Sequence, residues 1–123
     1  MYKRQRLTNH AGETTGPEAI WEALSIGSER LGHALSAIRD PELIEELRQR
    51  QIPLELNPSS NMRTGVCPSF SAHPLRQYFD AGLLVTLNSD DPAFFGSDLA
   101  SEFLLAHTEQ GFSADELLSL IHI

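Results

Sequence analysis

His10 and Glu13 stand three residues apart in Leu7-Thr8-Asn9-His10-Ala11-Gly12-Glu13, and an Asp90-Asp91 pair follows late in the chain. An imidazole closing a short apolar run can offer a ring nitrogen to a divalent metal, and a nearby carboxylate can then move the protons of metal-activated water. Adjacent aspartates also make sense beside a cation, because their like charges would otherwise repel and raise one pKa. Alone, His-x-x-Glu is a weak motif. Each residue has a plainer reading, too. His10 and His33 could be hydrogen-bonded strand-end histidines, and Asp90-Asp91-Pro92 could simply start a turn. What gives the pattern weight is recurrence, since three later segments also read as strands ending in reactive polar residues.

Those residues need elements to hold them. Arg6 to His10 reads as a short strand, followed after a Gly-Pro break by a helix from Pro17 to about Ile26. Proline at a first helical position is a common start signal. Glu29 to His33 gives a second strand, and Pro41 to Arg50 a second helix with Leu43, Ile44 and Leu47 on one face. Ile52 to Leu56 is a third strand, running into the polar loop Asn57-Pro58-Ser59-Ser60-Asn61. A helix over about Pro74 to Asp80 leads to Leu83 to Leu87, an apolar run expected of a strand buried on both faces of a parallel sheet. A helix from about Leu99 to Glu109, then Gly111 and a last helical stretch near Ala114, complete the pass.

The strand ends fall near residues 10, 33, 57 and 90, in steps of 23, 24 and 33. Strands alternating with helices at this pitch predict a parallel α/β fold. The polar residues gather at the C-terminal ends of the strands, the face that carries the active site of a (β/α)8 barrel. A doubly wound sheet also binds ligands there, but it usually carries a glycine-rich phosphate loop, and none occurs.

Composition narrows the partners. With 9 basic and 17 acidic residues the formal charge is −8, which disfavours nucleic-acid backbones and anionic membranes. No segment approaches the roughly 20 apolar residues of a membrane span. The single Cys67 cannot form an intrachain disulfide, which fits a reducing cytoplasm, and the N-terminal stretch has no apolar signal-peptide core. With one cysteine, the zinc site of cytidine-type deaminases, built on Pro-Cys-x-x-Cys, cannot form. Cys67 reads as inert, His73 as a helix-start residue, and neither His107 nor His122 as a site candidate.

Four blocks make the reading specific: Asn9-His10-Ala11-Gly12-Glu13, Glu29-Arg30-Leu31-Gly32-His33, Leu54-Glu55-Leu56-Asn57-Pro58-Ser59-Ser60-Asn61 and Leu87-Asn88-Ser89-Asp90-Asp91-Pro92. In order and spacing they resemble the signature blocks of the adenosine and adenine deaminase family, in its C-terminal half, over about residues 6–117. The resemblance implies four βα units of a zinc-dependent (β/α)8 barrel that hydrolyses the 6-amino group of adenine-type purines. It implies His10 and Asp90 as zinc ligands, with Asp90 also bonded to the attacking water. Glu13 would exchange a proton with purine N1, and His33 would orient and deprotonate the metal-activated water. Asp91 would contact purine N7, and Gly12 would also lie against the substrate. The chemistry is coherent: attack at the amino-bearing ring carbon builds charge on the ring nitrogens, and an acid at N1 relieves it.

The chain departs from the family pattern in two ways. Ala34 follows His33 where a glycine is usual, and its methyl would narrow the space behind the imidazole. The family's His-x-His, which supplies two further zinc ligands, occurs nowhere in the 123 residues. A complete barrel needs about 250 residues, so the chain is expected to be an internal fragment, with residues 1–5 and 119–123 foreign to the domain. Expressed alone, it is expected to be inactive and to self-associate. Adenosine is the expected substrate, with adenine or aminodeoxyfutalosine as alternatives. A non-catalytic half-barrel scaffold is a reading of another class, which the retained Glu13 and aspartates argue against. A two-metal hydrolase would call for a strand-end lysine or bridging carboxylate, and the only lysine is Lys3.

Overall fold

Four short strands lie side by side in chain order, each joined to the next by a helical crossover. The computed structural model describes residues 5–121. The strands are β1 (Thr8–Ala11), β2 (Arg30–His33), β3 (Leu54–Leu56) and β4 (Val85–Leu87), all parallel, in the order β1-β2-β3-β4. Their register sets Ala11 beside His33 and Leu56 beside Leu87, so the strand ends are level with one another. That alignment brings the reactive blocks to one rim.

The helices follow their sequence signals. The first, α1 (Pro17–Ser25), has proline in its first turn and buries Ile20, Ala23 and Leu24, the i, i+3, i+4 face. A 3-10 turn, Leu35–Arg39, then leads to α2 (Pro41–Arg50). There Asp40 accepts from the Glu42 and Leu43 N–H groups at 3.0 and 3.1 Å, satisfying two of the orphan donors of a helix start. The stretch that reads as a polar loop is instead helical: α3 (Pro58–Arg63) begins with Pro58 and buries Ser59, Ser60 and Asn61. The remainder are α4 (Leu75–Asp80), α5 (Pro92–Phe95), α6 (Leu99–Gln110) and α7 (Ala114–Ser119). Asp98 caps α6 and Ser113 forms a capping box with Glu116 on α7.

Leu31, Leu54, Leu56, Val85 and Leu87 point from the strands into one core with Ile20, Leu43, Leu47, Leu75 and Tyr78 from the helices. Each fully buried aliphatic side chain contributes about 1.5–3 kcal/mol. The opposite face of the sheet is open and polar, with Arg30 Nε donating to Glu55 Oε1 at 2.6 Å from β2 to β3. No helix among the described residues is long and apolar enough to cross a membrane. Ser119 closes α7 and Leu120 is buried with the core, while residues 1–4, 122 and 123, and with them the His122 reading and most of the foreign ends, lie outside the described residues.

Candidate active site

The side chains at the strand ends converge. His10 leaves β1 just before Gly12, which turns the chain at φ +74°; a Cβ there would meet Ile20 Cδ1 at 2.5 Å and Ser36 Oγ at 2.8 Å. Packing against the buried Ile20 therefore accounts for this glycine. After that turn Glu13 folds back, its Oε2 3.0 Å from His10 Nε2. His33 ends β2 with φ +65° and is 4% exposed, and Ala34 follows at φ +51°. Asp90, just past β4, has φ +60°. Left-handed backbone costs a non-glycine residue on the order of 1–2 kcal/mol, and such strain clusters where side chains must be aimed at a site.

His33 is the hub. Its Nδ1 lies 3.7 Å from Glu13 Oε1, its Nε2 lies 3.9 Å from Asp90 Oδ2, and its ring centroid is 4.3 Å from that of His10. Burial pushes its pKa below the ordinary histidine value, opposed by the Glu13 carboxylate. The ring is not crowded out of place by Ala34, because two amides hold it: Nδ2 of Asn57 at 3.3 Å and Nδ2 of Asn61 at 3.1 Å both face Nδ1. Asn61 Nδ2 also donates to Glu13 Oε1 at 3.2 Å.

Behind these stands a second row that the sequence reading did not anticipate. Ser60 Oγ donates to Asp90 Oδ2 at 2.7 Å. His73 is at the start of α4, as expected, with Nδ1 accepting from the Leu75 N–H at 3.1 Å, but its Nε2 also meets Asn61 Oδ1 at 3.1 Å. Burial drives its pKa down to about 3. Glu102 of α6 is fully buried, accepts from the Ser59 N–H at 3.3 Å and is pushed upward in pKa by its burial. The proline of Asn57-Pro58 was the available signal that this polar run is a helix presenting side chains to the site.

His10, His33, Asn57 and Asp90 line a cleft of about 510 Å³ on the open face of the sheet. Glu13 borders a second cavity of about 300 Å³ with Ser36, Arg39 and Cys67. Ligand atoms of His10, Glu13 and His33 all lie within 4.8 Å of one another, close enough for one ion. Imidazoles with a carboxylate are the donors that zinc and similar divalent ions take, so the residues fit a metal. The set differs from the expected pairing of His10 with Asp90: Asp90 reaches the cluster through His33. Asp91 is exposed, and its Oδ1 accepts from the Phe94 N–H at 2.9 Å, capping α5. Cys67 is buried, and His107 bonds the Phe112 carbonyl, away from the site.

A sequence profile of the adenosine deaminase family matches residues 1–122. The chain belongs to the adenosine deaminase family. It is 46% identical over 102 residues to the aminodeoxyfutalosine deaminase of Streptomyces avermitilis, covering 82% of this chain and 28% of that protein. It is 42% identical over 115 residues to the adenosine deaminase of Shewanella denitrificans, covering 93% of this chain and 35% of that protein. The crystal structure of an adenine deaminase from Arthrobacter aurescens superimposes with a TM-score of 0.91 at 34% identity, over 94% of this chain and 36% of that one. The fold is thus part of a deaminase (β/α)8 barrel, and the chain spans about a third of the length of these relatives. Members of the adenosine deaminase family are metal-dependent hydrolases, which agrees with the donor cluster.

Proposed function

We propose that the protein carrying this chain is a cytoplasmic, zinc-dependent hydrolase that converts adenosine and water to inosine and ammonia, and that this chain is the C-terminal half of its barrel. The observation that carries the reading is the meeting of Glu13, His33 and His10, with Asp90 beside them, at the C-terminal rim of parallel strands in a chain of this family. The lone Cys67, buried and free, supports the reducing compartment.

His10 and Asp90 would hold the zinc, with two further histidines from outside this chain; bound there, it supplies Lewis acidity and lowers the pKa of water from 15.7 toward about 7. Glu13, in its acid form, gives a proton to purine N1 as charge builds on the ring. The 3.2 Å bond from Asn61 keeps that carboxyl group pointed at the site. His33, held between Glu13 and Asp90, orients the attacking water. Asp91 faces purine N7 with the oxygen that does not cap α5, and Gly12 lies against the substrate through its backbone beside Glu13. The water oxygen bonds to the amino-bearing carbon, one of its protons passes to the amino nitrogen and the other replaces the proton that Glu13 gave to N1, and the carbon–nitrogen bond breaks to release ammonia.

Relatives acting on aminodeoxyfutalosine and on adenine keep the alternatives open for the substituent at the far side of the purine. Taken alone, these residues would be inactive, and their open sheet edges at β1 and β4 would favour self-association. The test is ammonia release by the complete protein from adenosine, adenine and aminodeoxyfutalosine. The highest kcat/KM is expected with adenosine; release from none of the three would refute the deaminase reading.

A further inference from the structure

We propose that Asn61, locked in orientation by His73, is a positioning residue that presents its two amide hydrogens to Glu13 and His33 and so sets the hydrogen position on the His33 ring. The inference rests on the deaminase reading for its kinetic consequences, but its structural content stands on the hydrogen bonds alone.

Leu75 N–H can only donate, and at 3.1 Å it donates to His73 Nδ1, which must therefore carry a lone pair. A neutral imidazole with an unprotonated Nδ1 carries its hydrogen on Nε2. His73 is buried and low in pKa, so neutral is the form it keeps. Its Nε2–H donates across 3.1 Å to Asn61, whose carbonyl end alone can accept, which fixes Oδ1 on the His73 side. The NH2 end is then forced toward the site, where it has two partners within reach: Glu13 Oε1 at 3.2 Å and His33 Nδ1 at 3.1 Å. An amide has two hydrogens, one for each.

Asn57 constrains His33 from the other side. Its Nδ2 donates to the Glu55 carbonyl at 3.1 Å, so its NH2 end is also fixed, and it too faces His33 Nδ1, at 3.3 Å. Two donors on one nitrogen leave His33 Nδ1 as the acceptor. The neutral ring then carries its hydrogen on Nε2, the nitrogen 3.9 Å from Asp90 Oδ2. His33 thus presents an N–H to the Asp90 side, the arrangement of a group that orients. A rotated Asn61 would instead set its carbonyl oxygen against the Glu13 carboxylate and lose both bonds.

The His33 hydrogen is read directly in the complete protein by 15N spectra of labelled histidine above neutral pH, with wild type, Asn61→Leu, His73→Leu and His73→Gln compared. Wild type is expected to show an unprotonated Nδ1 and a protonated Nε2 on His33. Asn61→Leu and His73→Leu are expected to lower kcat about 10²-fold, the scale of a misplaced catalytic group, with KM little changed. His73→Gln, whose amide can still donate to Asn61, should recover much of the loss. Hydrogen on His33 Nδ1 in wild type, or near wild-type kcat in folded Asn61→Leu, would overturn the proposal. If the wild-type protein deaminates nothing, the functional reading fails, while the His33 spectrum still decides this one.

Discussion

Ser60 Oγ donates to Asp90 Oδ2 across 2.7 Å, tying α3 to the turn after β4. Asp90 sits in left-handed backbone at φ +60°, and this bond holds one of its oxygens in a single direction. Groups that bond a metal ligand from behind typically affect metal affinity 10–100-fold. Ser60→Ala in the complete protein should therefore weaken zinc binding about 10–100-fold, measured by competition with a chelator. Unchanged affinity would show that Asp90 is positioned without Ser60.

Glu13 contacts His10, Asn61 and His33, and its assigned work is proton transfer. Glu13→Gln removes the acid while keeping the size and an oxygen for the Asn61 amide. Turnover should fall about 10²-fold or more, the usual scale of general acid–base catalysis, with zinc content unchanged. Near-normal turnover would remove Glu13 from the mechanism.

The fold and the site were unequally legible, and the differences have physical causes. Parallel topology followed from strands alternating with helices, and Pro41–Arg50 was bounded correctly because Asp40, Pro41 and its apolar face agree. The apolar runs from Ile52 and Leu83 overstate two strands: both residues are buried, but the ladder starts at Leu54 and Val85. An apolar run reports burial, and pairing covers only part of it. Helix α3 has no apolar periodicity, because Ser59, Ser60 and Asn61 are buried by polar partners and give no apolar stripe. The short α5 was hidden in Asp91-Pro92, a pair that starts turns and helices alike. At the site, His10, Glu13 and His33 were visible as strand-end residues, whereas the link from His73 through Asn61 depends on contacts between distant segments that no local pattern encodes.

The two aspartates should separate in their effects. Asp90→Ala removes the assigned metal ligand, so both zinc and activity should be lost. Asp91→Ala should retain zinc and raise KM, with a modest stability loss of about 1 kcal/mol from the missing α5 cap. Zinc per chain, measured in both variants, checks this, and equal metal loss in the two would refute the assignment.

Stability should depend on pH through His73. Its folded pKa, about 3, is depressed from the ordinary 6.5, so the unfolded chain binds the proton more tightly. The stability is complete above pH 6.5 and is lost as pH falls from 6.5 toward 3. At about 1.4 kcal/mol per unit, the loss down to pH 4.5 is about 3 kcal/mol. Buried His33 adds a slope of the same sign. Urea midpoints across this window should fall with pH in wild type and fall less steeply in His73→Leu; identical slopes would contradict a buried neutral His73.

On the proposed reading, His10 and Asp90 hold a zinc ion, and the rim they share with Glu13 and His33 deaminates adenosine hydrolytically. The most direct measurement is ammonia release from adenosine by the complete protein, before chelation, after complete zinc removal, and after zinc is returned. Activity should vanish with the metal and recover with it in proportion to zinc bound per chain. Undiminished deamination by metal-free protein would contradict the account.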